Sequence, residues 1–299
     1  MIISASRRTD IPAFYAQWFV NRIRAGHCTV PNPFNRKQVS HISLRPEDVD
    51  IIVFWTRNPQ LLIPYLKELD QLGYRYYFQY TVMNNPCLID TMTPSLSSSL
   101  KIFKKLSDLI GPEKVIWRYD PVIISNITGI EFHTDTYKNI AETLKNYTQR
   151  SVISLLDIYP KLKKRLKALK DNGVEIADCN KESYKHFDEL MYTLAGVAEQ
   201  NKMEIVSCAE EPDLTKYNIH PGKCIDDNYI ERVFGISVTH KKDPVQRKAC
   251  GCVVSRDIGV YNTCLSGCQY CYAATSFEKA KALYENHDPD LTSMVDCGD

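Results

Sequence analysis

Seven short runs rich in β-branched and aromatic residues alternate with longer stretches of helical periodicity along this chain of 299 residues. The predicted strands are Met1–Ser6, Ile51–Trp55, Tyr76–Val82, Val115–Trp117, Ser151–Leu156, Glu204–Ser207 and Asp257–Tyr261. The predicted helices are Ala13–Ala25, Leu61–Leu72, Ser95–Leu109, Thr134–Asn146, Leu162–Asp171, Lys181–Gln200 and Ser276–Asn286. Connections of this length require crossovers, so the strands form a parallel sheet. The repeated alternation predicts an α/β fold, a partial or closed (β/α) barrel, with its site at the carboxyl ends of the strands.

Arginine and aspartate recur where the predicted strands end. Arg8 and Asp10 follow the first strand, Arg57 follows the second, and Arg118 and Asp120 follow the fourth. Loops are polar in any protein, and each cluster taken singly is compatible with that simpler explanation. Because the carboxyl ends of parallel strands meet on one side of a sheet, the recurrence predicts that these side chains line a common site.

A cysteine-rich loop near the C-terminus carries the strongest functional signal. Cys264, Cys268 and Cys271 have the spacing C-x3-C-x2-C, and Tyr270 precedes the third cysteine. Three thiolates on one loop can hold three irons of a [4Fe–4S] cluster and leave the fourth iron open to another ligand. The alternative is zinc, bound by these cysteines and a remote one, but the second C-x2-C pair of a zinc knuckle is missing.

Four further cysteines precede that loop and are predicted to form a second metal site: Cys208, Cys224, Cys250 and Cys252. Gly251 lets the backbone fold closely around a metal between the last two. Four thiolates make a closed site, which suits an auxiliary [4Fe–4S] cluster or a structural zinc, with the cluster favoured. If one of the four does not bind metal, Cys297 is the first substitute.

The distribution of the cysteines and the net charge limit the classes of function that this chain can have. Seven of the eleven cysteines lie between Cys208 and Cys271, a clustering that favours metal binding in a reducing compartment over a disulfide framework. The chain is therefore predicted to be cytoplasmic. The 37 basic and 36 acidic residues nearly cancel, so no global field favours nucleic acid. No apolar run of about 18 residues occurs, so no membrane-spanning helix is expected.

One basic run stands out against this balanced charge. Lys161, Lys163, Lys164, Arg165 and Lys167 lie within seven residues, interleaved with leucines at helical spacing. A basic run of this kind is compatible with nucleic-acid binding. The pattern nevertheless favours an amphipathic helix whose charged face is solvated, and nucleic acid is considered unlikely as a partner.

The three-cysteine loop is similar to the signature of radical S-adenosylmethionine (SAM) enzymes. Those barrels carry the loop after their first strand, whereas here it follows the last predicted strand. Circular permutation accounts for this if residues 257–261 pair beside Met1–Ser6 as the first barrel strand. The predicted domains are barrel repeats (1–207), an irregular auxiliary metal-binding segment (208–256), and a final strand, loop and closing helix (257–299). Over essentially its whole length the chain most closely resembles the domain of unknown function 1848 family, which carries a C-terminal cysteine cluster of this type.

Short matches at the strand ends also resemble the spore photoproduct lyase branch of radical SAM enzymes. They are Ser6-Arg-Arg-Thr-Asp10, Thr56-Arg57-Asn58 and Arg118-Tyr-Asp-Pro121. These matches are short and do not identify a substrate.

The resemblance implies a cofactor set and residue roles. An open [4Fe–4S] cluster on the loop would bind SAM and cleave it reductively to a 5′-deoxyadenosyl radical, which abstracts hydrogen from a small-molecule or peptide substrate. Tyr270 would lie beside the adenine, and Arg57 or Arg118 would pair with the SAM carboxylate. Asp10 or Asp120 would contact the ribose hydroxyls or the ammonium, and Arg8 would complete the cofactor-binding residues. The implied electron donor is a protein such as flavodoxin or ferredoxin.

Two other functions stay open at this stage. The lyase-like strand ends are compatible with reversal of a nucleic-acid lesion, which would need a basic groove and a stacking aromatic. A non-catalytic zinc or iron–sulfur protein is the third hypothesis. It predicts a protein that cannot cleave SAM.

Overall fold

In the part of the chain that the structure describes, eight strands form one parallel sheet, one strand more than the seven that the sequence predicts. The structure, a computed structural model, describes residues 1–35, 37–177 and 186–296. The strands in these ranges are β1 (Ile2–Ala5), β2 (His27–Pro31), β3 (Val39–Ser43), β4 (Ile51–Thr56), β5 (Tyr76–Thr81), β6 (Val115–Val122), β7 (Arg150–Leu155), β8 (Glu204–Cys208), β9 (His220–Gly222) and β10 (Arg256–Asp257). The order across the sheet is β10-β1-β4-β5-β6-β7-β8-β9, and β2 and β3 form a separate antiparallel pair.

The helices of the described residues are α1 (Ile11–Phe14), α2 (Ala16–Ala25), α3 (Leu66–Gln71), α4 (Leu96–Ile110), α5 (Ile130–Leu144), α6 (Lys163–Asp171), α7 (Phe187–Gln200), α8 (Asp227–Phe234) and α9 (Phe277–Glu285). The single helix predicted over Ala13–Ala25 is wrong in one respect, because Tyr15 leaves the helical conformation and separates α1 from α2. The first five residues of the helix predicted over Lys181–Gln200 lie outside the described residues, as do Cys179 and Cys297.

The C-terminal strand lies beside the N-terminal strand. β10 pairs with β1 in parallel, with Ile3 opposite Arg256 and Ser4 opposite Asp257. The pairing agrees with the predicted placement, but the strand ends at Asp257, so most of the run predicted as Asp257–Tyr261 is loop. The polypeptide that follows β10 therefore begins next to the end of β1.

Of the two predicted alternatives, a partial and a closed barrel, the closed barrel is wrong. β9 and β10 are the edge strands, and they do not pair with each other in the described part of the chain. They comprise only three and two residues, too few for a hydrogen-bonded seam. Ile225, residues of α8 and the segment after α8 cover one face of the sheet instead, and Ile225 and Ile230 pack in one cluster with Ile51 and Val53. The opposite face packs against the other helices through a second, larger core.

The segment predicted as irregular, residues 208–256, contains both β9 and α8. The Asp226 side chain caps α8 by accepting hydrogen bonds from the backbone N–H groups of Asn228 and Tyr229, and Gly235 ends the helix in the left-handed conformation. These end signals are present in the sequence, but the helix is short enough to be missed by periodicity. Among the described residues, no helix is both long and apolar enough to cross a membrane.

The Asp257 carboxylate joins the two termini through several hydrogen bonds. It accepts from Ser4 Oγ at 2.6 Å, Ser6 Oγ at 2.7 Å and the Arg7 backbone N–H at 2.9 Å. We expect Asp257→Asn to lower the free energy of unfolding by about 2–3 kcal/mol, because charged acceptors contribute more than neutral ones and the donors that face the new NH2 group lose their acceptor. Urea unfolding followed by tryptophan fluorescence measures this change.

Asp108→Asn on the exposed face of α4 is the matched control, since it makes the same chemical change at an exposed carboxylate. An unfolding midpoint of Asp257→Asn equal to that of the control would mean that Asp257 does not hold β10 to β1.

Candidate metal centres

One cavity of about 1160 Å³ lies at the carboxyl ends of the strands. Every residue that the sequence predicts for the site lines this cavity: Arg8, Asp10, Arg57, Arg118, Asp120, Tyr270, Cys208, Cys224, Cys250, Cys252, Cys264, Cys268 and Cys271. Parallel sheets place ligand sites at this end of their strands. Both cysteine sets therefore face a shared space, although nearly sixty residues of sequence separate the first cysteine of one from the first of the other.

The three-cysteine loop is clamped by the segment that follows β5. Residues Asp90 and Cys268 form an isolated antiparallel bridge, and the Gln269 N–H donates to the Ile89 carbonyl at 2.9 Å. Thr91 Oγ1 donates to the carbonyl of Gly267 at 3.0 Å. Gly267 has φ of +68°, and a Cβ added there would lie 2.0 Å from Thr91 Oγ1. A glycine is therefore required at this point of the loop on two counts.

The loop turns so that its sulfurs are held by neighbouring polar groups. Cys264 Sγ lies 3.4 Å from Ser266 Oγ, and the Ala273 N–H donates to Cys271 Sγ at 3.3 Å. Cys268 is buried. Burial raises the pKa of Cys264 to about 12 and the pKa of Cys268 well above its usual value, with Arg57 opposing the latter rise.

Arg57 and Asp10 connect the loop to the ends of β1 and β4. The Arg57 backbone N–H donates to Asp10 Oδ2 at 2.7 Å, and the Asp10 Oδ1 atom caps α1 through the Ala13 N–H at 3.0 Å. The guanidinium of Arg57 pairs with Asp90 at 3.1 Å and hydrogen-bonds the Tyr270 hydroxyl. Burial raises the pKa of Asp10 to about 6. Asp10 thus positions the strand ends, while Arg57 presents its charge to the loop.

The cysteines of the second set also line the cavity, and their side chains interact one with the next. Cys208 Sγ and Cys224 Sγ are 3.1 Å apart. Cys224 interacts with Cys252, and Cys252 with Cys250, through their side chains. The hydrogen bond from Cys252 lowers the pKa of Cys250 to about 7. The backbone N–H of Ile225 points to Cys252 Sγ at 3.4 Å.

Arg118 and Asp120 belong to this second set rather than to the three-cysteine loop. The buried guanidinium of Arg118 donates to Cys224 Sγ at 2.8 Å and to Gln79 Oε1 at 3.2 Å, and it pairs with Asp120. Asp120 in turn accepts a hydrogen bond from Ser154. The sequence places all the arginines in one group, whereas the structure assigns Arg57 to one cysteine set and Arg118 to the other.

Arg8 lies at the cavity edge, 3.9 Å from the Asp257 carboxylate, with its guanidinium over the Tyr261 ring at 5.3 Å. Its contacts are thus with the β1–β10 junction. Several residues with close contacts in the site are missing from the sequence-based set, among them Gln79, Asp90 and Asp257. Alternation along β5 puts Gln79 on the inner face, so a buried amide in a central strand was a usable signal. Asp90 has no such signal.

The cysteine side chains meet the chemical requirements of a metal site but not yet its geometry. Among the described residues, no group of three or more His, Cys, Asp or Glu side chains is arranged to hold one ion as it stands. The donor chemistry nevertheless fits, since seven thiols line one cavity. Thiolates on one tetrahedral zinc lie about 3.8 Å apart, because Zn–S is about 2.3 Å, and thiolates on separate corners of an iron–sulfur cube lie further apart. The 3.1 Å between Cys208 and Cys224 is nearer to the first value.

The comparisons with known proteins identify a family. Residues 2–273 match the family described as domain of unknown function (DUF1848), and the chain belongs to it. The match includes both cysteine sets. Neither the curated proteins nor the solved structures contain a match.

The position of Gly267 gives a test of the loop geometry. If the loop binds iron, Gly267→Ala is expected to reduce the amount bound strongly, because its Cβ would overlap Thr91 Oγ1. Gly173→Ala is the control, since Gly173 also has positive φ, +82°, but nothing lies within 4 Å of its added Cβ. Iron per chain after anaerobic reconstitution is the measurement. Equal iron in the two variants would mean that the close approach of Thr91 to Gly267 does not decide the loop conformation.

The second set gives an independent test. If both sets bind metal, we expect Cys224→Ser to remove the metal of the second set and to leave that of the three-cysteine loop in place, because the two sets have separate ligands. Metal analysis for iron and zinc measures the loss. Cys87→Ser is the control, since Cys87 is exposed and does not line the cavity. Unchanged metal in Cys224→Ser would argue against a metal at this set.

Proposed function

We propose that this member of the DUF1848 family is a radical SAM enzyme, with an open [4Fe–4S] cluster on Cys264, Cys268 and Cys271 and an auxiliary cluster on the second cysteine set. When bound, the first cluster supplies the electron that cleaves SAM to methionine and a 5′-deoxyadenosyl radical, which takes hydrogen from the substrate. The observation that carries the proposal is the three-thiol loop in the wall of a cavity at the carboxyl ends of a parallel sheet. The substrate class stays a small molecule or peptide.

The cavity has room for more than one ligand. Its volume of about 1160 Å³ exceeds the roughly 300–1000 Å³ of ordinary small-molecule pockets. A cofactor of the size of SAM would leave space beside it for a substrate, which a purely structural metal site would not need. This surplus volume favours an enzyme over a metal-stapled scaffold.

Arg57 and Tyr270 are the residues best placed to hold SAM near the loop. The Arg57 guanidinium and the Tyr270 hydroxyl contact each other beside Cys268, and Asp90 keeps the guanidinium in this position. A guanidinium recognises a carboxylate through paired hydrogen bonds. We therefore assign the SAM carboxylate to Arg57 and retain Tyr270 for the adenine. Asp10 acts on this pair as a positioning residue, because both of its oxygens are already hydrogen-bonded to backbone.

Arg118 and Asp120 serve the second cysteine set in this proposal. Arg118 donates to a cysteine sulfur, and such a hydrogen bond stabilises the thiolate form that binds metal. The short Cys208–Cys224 distance also favours a second candidate for this set, a single zinc ion. Both candidates require reduced cysteines, and we therefore propose a cytoplasmic location.

Cleavage of SAM by the reconstituted protein tests the proposal. With dithionite as reductant, the unmodified chain is expected to form 5′-deoxyadenosine and to bind about eight irons, or about four irons and one zinc if the second set takes zinc. The Cys264→Ala/Cys268→Ala/Cys271→Ala variant is expected to keep the metal of the second set and to form no 5′-deoxyadenosine, because the open cluster has lost its ligands.

Cys87→Ala serves as the control and should match the unmodified chain in both measurements. Zinc at both sets with no 5′-deoxyadenosine would contradict the proposal and leave a non-catalytic metal protein. Formation of 5′-deoxyadenosine by the triple variant would move the reactive cluster to the second set.

A further inference from the structure

The basic run of the sequence forms α6, and its two faces have different partners. Residues 161–171 contain six cationic residues and one acidic residue, in a chain whose net charge is only +1. Lys163, Lys164 and Lys167 are exposed to solvent, whereas Leu169 is buried. The helix is therefore amphipathic as predicted, and its outer face concentrates positive charge.

The inner face of α6 packs against the three-cysteine loop. Leu169 belongs to one small apolar cluster with Cys268 and Tyr270, and Leu166 packs on it. Arg165 donates a hydrogen bond to the carbonyl oxygen of Cys271, and its guanidinium lies 5.2 Å from the centre of the Phe277 ring. A helix is about 10 Å in diameter, so a partner on the outer face would lie about one helix width from the loop.

We propose that the basic outer face of α6 docks an acidic one-electron donor protein, such as reduced flavodoxin, beside the three-cysteine loop. The inference rests on the proposed function, because reductive cleavage of SAM needs an electron from outside the chain. Opposite charges raise the rate of encounter between redox partners, whose interfaces are small and transient. The donor would give up one electron to the iron of the loop, and no bond between the proteins would form.

The surrounding charges support a protein partner of this kind. The acidic groups around the basic face are Asp171 at the end of α6, Glu175, which pairs with Lys170 at 3.3 Å, and Glu278 in the first turn of α9, which interacts with Lys164. They leave Lys163 and Lys167, one helical turn apart, as a pair on the same exposed face. A nucleic-acid substrate would be attracted by the same charges, but it would have to enter the cavity, and neither Lys163 nor Lys167 lines the cavity.

A matched pair of double variants tests the docking. Lys163→Glu/Lys167→Glu reverses two charges on α6, and Lys101→Glu/Lys105→Glu makes the same change at the same spacing on the exposed side of α4. Binding of oxidised flavodoxin is measured first by the change in its flavin fluorescence, which does not depend on SAM cleavage. We expect the α6 variant to bind about tenfold more weakly at low salt and the α4 variant to bind normally.

The rate of 5′-deoxyadenosine formation is then measured with reduced flavodoxin and with dithionite. With flavodoxin at low salt, the α6 variant should form 5′-deoxyadenosine about tenfold more slowly than the unmodified chain, and this difference should disappear at high salt. With dithionite, the two rates should agree within about twofold. Equal losses in both variants, or a loss with dithionite as well, would overturn the docking proposal. Loss of binding to a single-stranded RNA without loss of flavodoxin binding would assign the face to nucleic acid instead. If the unmodified chain forms no 5′-deoxyadenosine with dithionite, the proposed function fails, and the binding measurement still decides whether α6 docks flavodoxin.

Discussion

The Asp257 carboxylate is the contact on which the site depends, because it joins the two ends of the chain. Its hydrogen bonds to Ser4, Ser6 and the Arg7 backbone fix a strand of only two residues at the edge of the sheet. Two residues of strand pairing cannot hold a loop in place by themselves. With this anchor, the three-cysteine loop is delivered to the end of β1, next to Arg57 and Asp10 from the neighbouring strand ends.

A site assembled from both termini behaves differently from one built on a single loop. The cysteine loop receives hydrogen bonds from the segment after β5 and from Arg165 on α6. Its conformation therefore depends on residues that are far from it in the sequence. The second cysteine set is held in another way, by burial against the inner face of the sheet. The two sets share a cavity but have independent supports, which is why loss of one is not expected to unfold the other.

Residue periodicity and composition predict the parallel sheet, α4, α6 and the side chains that line the cavity. Each of these features is a local property of its segment. Periodicity and composition are insufficient for the pairing of arginines with cysteines. Arg57 and Arg118 both belong to the strand-end clusters, but Arg118 lies within β6, where strand register turns it toward Cys224. The sequence also does not predict that the sheet is open. Closure depends on the length of the edge strands, and no residue pattern marks where those strands end.

The separation of the arginines has an electrostatic reason. A set of four thiolates carries more negative charge than a set of three, and buried charge is stable only when it is compensated. Arg118 contacts Cys224 directly, and Arg7 interacts with both Cys252 and Cys224, whereas Arg57 is the guanidinium that faces Cys268. Arg247 also interacts with Cys208, and Arg165 also interacts with Cys268 and Cys271, so three arginines face the larger set and two face the smaller. This distribution of charge is the one that the proposed metal-bound thiolates would require, whereas neutral thiols would not require it.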